Sequence, residues 1–148
     1  MMANRSFCLL VLVSMVGCGE APPKEEILVP ISGSVRYGSQ PTEGITVSFV
    51  PKGTTTGTGA FGRTDAEGKY TLLHRTQKPG VPMGEYTVTF SRFLKPDGSP
   101  VPKDVSPTMS GGRESIPRVW SDIAKAGAHN TATVKSGSKS IDFALPTK

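Results

Sequence analysis

The stretch "GEYTVTFS", residues 84–91, alternates without a break: Tyr86, Val88 and Phe90 fall on one side, and Glu85, Thr87, Thr89 and Ser91 on the other. A period of two with a single apolar side is the signature of an extended strand with one face in a core and one in water. The same pattern recurs through the chain. "ISGSVRY" (31–37) lines up Ile31, Val35 and Tyr37, and "GITVSFVP" (44–51) lines up Ile45, Val47 and Phe49. "GKYTLL" (68–73) offers Tyr70 and Leu72, "NTATVKS" (130–136) Ala132 and Val134, and "SIDFALP" (140–146) Ile141, Phe143 and Leu145. "AFGRT" (60–64) supplies a seventh strand.

Between these runs lie Gly, Pro and Asp clusters: "GSQPTEG" (38–44), "DAEG" (65–68), "KPGVPMG" (78–84) and "KSGSK" (135–139). Glycine and proline punctuation between alternating runs marks hairpin turns. Helical periodicity is nearly absent, apart from one turn expected at "SDIAKAG" with Ser121 as N-cap and Gly127 as its end. The reading is all-β: a seven-stranded antiparallel sandwich with one shared core. "GTTTGTG" (53–59) is expected to be a flexible connection. "LKPDGSPVPKDVSPTMSGGRESIP" (94–117), rich in proline, is expected to run over the surface.

The N-terminal region reads differently. "MMANRSFCLLVLVSMVGC" has one cation, Arg5, then an uncharged run from Phe7 to Val16, then small residues before Cys18. That is a secretory signal, and ten apolar residues span only about 15 Å, roughly half a bilayer. "MVGC" resembles the lipobox of bacterial lipoproteins, with Met15 where leucine is the favoured residue. The expected organisation is a signal peptide over 1–17, a lipidated Cys18 opening a tether over 18–26, and one domain over 27–148. Several acyl chains on Cys18, palmitate among them, would hold the protein on a membrane, since each buried methylene adds about 0.8 kcal/mol. The location implied is the cell membrane or the outer membrane, with the domain outside the cytoplasm.

Composition excludes several function classes. Cys8 leaves with the signal and Cys18 is the remaining thiol of the two cysteines, so neither an intramolecular disulfide nor a cysteine-rich zinc site is possible. Removing residues 1–17 takes only Arg5 from 17 Lys and Arg residues, leaving a net charge of +4 against 12 carboxylates. These cations are scattered rather than gathered in a stripe with aromatics, which argues against nucleic acid as a partner.

With the strands in place, the residues "ISGSVRYGSQPTEGITVSFVPKG", "GRTDAEGKYTL", "PMGEYTVTFSR" and "IPRVWSDIAKAGAHNTATVKSGSKSIDFALP" resemble the carboxypeptidase regulatory-like domain, in the form found in small bacterial lipoproteins. The resemblance implies a transthyretin-like (prealbumin-like) Greek-key sandwich covering nearly all of the mature chain. Trp120 departs from the pattern, standing where similar sequences carry tyrosine. The fold is an accessory module in many unrelated proteins, so it implies no single activity. The Tyr-Arg-Gly-Ser motif of hydroxyisourate hydrolases, enzymes of related fold, does not occur here.

No catalytic constellation stands out. His74 and His129, the only histidines, are too few for a three-histidine zinc site and are read as surface or strand-end residues. No Gly-Xaa-Ser-Xaa-Gly elbow occurs. Asn130, the one asparagine outside the signal, could join an isopeptide bond only with a lysine across the core, and the first strand offers Arg36 instead. In "RTDAEGKY" (63–70), Asp65 and Glu67 are read as part of a turn, with Gly68 taking positive φ, and two carboxylates leave most of a calcium shell to water. The sequence therefore points to a non-enzymatic envelope protein without cofactor or metal. Its contact residues for a partner protein or glycan are expected at Trp120 and Asp122, beside the proline-rich loop.

Overall fold

A computed structural model describes residues 26–147; the signal peptide, Cys18 and most of the tether lie outside the described residues. The described residues form thirteen short strands and two single-turn helices. The strands are β1 (Leu28–Val29), β2 (Ser32–Tyr37), β3 (Gln40–Pro41), β4 (Thr46–Pro51), β5 (Ala60–Arg63), β6 (Lys69–Thr71) and β7 (Leu73–His74), followed by β8 (Val81–Pro82), β9 (Gly84–Ser91), β10 (Phe93–Leu94), β11 (Arg113–Glu114), β12 (Thr131–Val134) and β13 (Phe143–Leu145). Helices α1 (Arg118–Ser121) and α2 (Ile123–Ala126) precede β12. The protein is all-β, and each of the seven alternating stretches carries a strand.

The larger sheet has the order β12-β9-β4-β5-β7, and the smaller β13-β2-β3 with β6 also paired to β2. The chain changes sheet at Leu72, which is fully buried between β6 and β7. Inward residues of both sheets share one core: Ile31 and Val35 on one side, Val47, Phe49, Tyr86, Val88 and Phe90 on the other. Phe143 closes it, its ring edge-on to Phe90 at 5.0 Å and to Phe49 at 6.3 Å. Burial of such side chains contributes on the order of 1.5–3 kcal/mol each.

Not every strand is antiparallel as expected. β13 pairs parallel to β2, Phe143 opposite Val35 and Leu145 opposite Tyr37. The reason is geometric: β12 runs to the end of the domain where β2 begins, and residues 135–139 turn the chain there, so β13 starts beside β2's start.

The turn at Asp65 forms as read. Its Oδ1 accepts the N–H of Glu67 at 3.1 Å and of Lys69 at 2.8 Å, and Gly68 has φ +72°. The helical turn starts one residue later than read. Its N-cap is Asp122, not Ser121, because Ser121 already ends α1 while the Asp122 carboxylate accepts the N–H of Ala124 at 2.9 Å.

The connection expected to be flexible and the proline-rich surface segment are both tied down. In 53–59, Thr55 Oγ1 accepts the N–H of Glu85 at 2.8 Å and Thr58 Oγ1 lies 2.9 Å from His74 Nε2. In 94–117, β10 pairs with β11, Val101 is buried, its N–H donates to the Phe93 carbonyl at 2.9 Å, and its own carbonyl accepts from Arg63 Nη2. Alternation could not reveal this, because a single apolar side chain amid prolines has no period.

Candidate functional site

Where β5, β6, β2 and residues 140–142 lie side by side, their outward residues line an open groove of about 770 Å³. The ladder sets Ser32 opposite Thr71 and Ser34 opposite Lys69. Phe61, 46% exposed, stands on the β5 side with Arg63, and Ser140 and Asp142 on the other. Aromatic, hydroxyl, cationic and carboxylate groups therefore share one concave surface.

Two glycines shape its floor. A Cβ on Gly33 would come within 1.9 Å of the Ile141 carbonyl oxygen, and one on Gly62 within 2.6 Å of the Thr71 carbonyl oxygen. Such approaches leave room for hydrogen only. Tyr70 lies between these glycines, and its hydroxyl donates to the Ile141 carbonyl at 2.6 Å. Burial, and after it the charge of Asp142, pushes the Tyr70 phenol well above its ordinary value. Asp142 itself is held by Ser34, whose backbone N–H and hydroxyl both donate to Oδ1.

The residues expected from the sequence lie elsewhere. Trp120 on α1 is half-buried against the core, with His129 edge-on at 6.1 Å. Asp122 is close in sequence, but its carboxylate caps α2. Asp65 reaches the groove's rim with one oxygen committed to the turn, and Glu67 is exposed. Among the described residues, no group of three or more His, Cys, Asp or Glu is placed to hold a metal ion. Asn130 Nδ2 is buried without a hydrogen-bond partner.

His74 sits at a strand end, as read, but is buried rather than at the surface. Its Nε2 is 3.1 Å from Glu26 Oε2 and its Nδ1 is 2.9 Å from Thr76 Oγ1. The ring thus joins the start of the described chain to the 53–59 segment and the turn after β7.

The groove was hidden in the sequence because alternation says only that Ser32, Ser34, Lys69 and Thr71 point outward, while Phe61, the one large apolar side chain of 60–64, faces solvent against that pattern. Which outward rows become neighbours depends on the β2–β6 pairing and on Gly62.

No family model matches the chain, and no curated protein matches it. Among solved structures, the crystal structure of a 9R-lipoxygenase from Cyanothece PCC8801 is similar at 15% identity and a TM-score of 0.35, over 85% of this chain. The chain spans 18% of that protein's length, and a likeness this low carries no assignment.

Proposed function

We propose that this is a non-enzymatic, lipid-anchored envelope protein whose domain, a transthyretin-like Greek-key sandwich of the carboxypeptidase regulatory-like kind, binds a partner outside the cytoplasm. The anchor rests on the signal-like 1–17 segment and Cys18; binding rests on the groove. The observation that carries it is the preformed mixture of Phe61, Lys69, Thr71 and Asp142 on one concave face, held by backbone pairing and by the Ser34–Asp142 bonds. Such a surface offers orientation-specific contacts without reorganisation. Among the described residues no helix is long and apolar enough to cross a membrane.

The test has two arms. Labelled palmitate should enter the chain and be lost with Cys18→Ser. A photo-crosslinking residue at Thr71 in the full-length protein should capture an envelope component, and Phe61→Ala should abolish that capture. Capture that is indifferent to Phe61→Ala would count against the groove.

A second reading, binding of envelope glycan, is favoured by the exposed Phe61 ring beside hydroxyls and a carboxylate. Retention of the protein on isolated envelope glycan, lost with Phe61→Ala, would select it over a protein partner.

A further inference from the structure

The two ends of the domain differ in charge. One end carries residues 26–30, 52–59, 75–83 and 135–139, because β4 and β12 finish there while β2, β5 and β9 start there. These segments hold Lys52, Arg75, Lys78, Lys135 and Lys139 against Glu26 alone, with Glu85 next to them on β9. Glu26 is already engaged by His74. The opposite end, residues 38–44, 64–68 and 92–130, balances six cations against seven carboxylates.

The basic end also exposes two large apolar side chains. Ile27 is 77% exposed and Met83 is 49% exposed. Leu28 pairs with Pro82, so the register sets Ile27 opposite Met83, one step beyond the ladder. Lys135 follows Val134, the partner of Gly84, and so flanks Met83 from the other side.

We infer that this end docks on an anionic lipid surface, with Ile27 and Met83 entering the headgroup layer and Lys52 and Lys135 facing lipid phosphates. The inference rests on the lipid-anchored reading above. What selects a bilayer as the occupant is the length of chain between anchor and domain. Residues 18–26 span at most about 30 Å when extended, and they end at Glu26, which His74 fixes to this same face. The anchor therefore delivers this end to the membrane. Cations near an anionic surface and apolar side chains in the interface both favour contact.

The protein carries its own control. Met109, 89% exposed, belongs to the 94–117 excursion at the other end of β9, about 25 Å away along the strand. The acylated full chain would be reconstituted in vesicles of phosphatidylethanolamine and phosphatidylglycerol and treated with peroxide, and sulfoxide formation followed at both residues by peptide mass spectrometry. Methionine oxidation tracks exposure. Met83 should oxidise several-fold more slowly on vesicles than in detergent, while Met109 keeps its rate. Lys52→Glu with Lys135→Glu should restore Met83 oxidation while the protein stays in the membrane pellet. Equal Met83 rates on vesicles and in detergent overturn the docking, and equal protection on phosphatidylcholine overturns the commitment to anionic lipid. Protection in detergent that grows with protein concentration assigns the face to a second copy and overturns it too. An acyl mass missing from Cys18 overturns the anchored reading itself, and the inference with it.

Discussion

Ser34 donates twice to one oxygen of Asp142, from its backbone N–H at 2.7 Å and from its hydroxyl at 2.9 Å, across 108 residues of sequence. This joins the approach to β13 to the second strand of the domain, just where the groove has its carboxylate wall.

Asp142→Ala should therefore cost about 1.5 kcal/mol, the low end for hydrogen bonds to a charged group, because the pair is exposed. A urea midpoint unchanged from the parent would show that the bond contributes nothing to the parallel pairing.

Gly33→Ala should be more damaging, because its Cβ meets the Ile141 backbone and not a movable side chain. Overpacking of this kind costs about 1–3 kcal/mol or more. Gly53→Ala is a useful contrast: nothing lies within 4 Å of its Cβ, and only its φ of +63° opposes the change. Thermal melts of the two variants should rank Gly33→Ala as the less stable.

The proline-rich excursion should not be removable without loss. Deleting 97–113 takes away Val101, which is buried and bonded to Phe93 and Arg63. Val101→Ala alone should cost on the order of 2 kcal/mol by loss of buried methyl groups. A melting temperature untouched by the deletion would mean that Val101 is dispensable.

Alkaline pH should destabilise the fold. Tyr86, buried with its hydroxyl donating to the Pro82 carbonyl at 2.7 Å, is pushed up to about 12, by burial first and then by Glu26. Its ordinary value is 10.0, so the unfolded chain loses this proton before the folded one does. The stabilisation is complete below pH 10 and disappears as pH rises towards 12. Tyr70 acts in the same direction. Unfolding free energy measured against pH should fall through this window, and Tyr86→Phe should flatten the slope. An identical slope in the variant would place the titration elsewhere.

The sequence by itself determined the longer strands and most of their buried faces, but not the two-residue strands such as β3 and β8, which lie in stretches read as turns. Tyr86, Val88 and Phe90 alternate with polar residues, and a pleated strand has no other way to bury them together. It also determined the Asp65–Gly68 turn, because its bonds run within five residues. Tertiary structure decided the rest. The parallel β13–β2 pairing, the groove between Phe61 and Asp142, the burial of Val101 and the His74–Glu26 contact all join residues far apart in the chain. Such contacts depend on register and strand order, and alternation is blind to both: it gives each residue a face, but never its neighbour across the sheet.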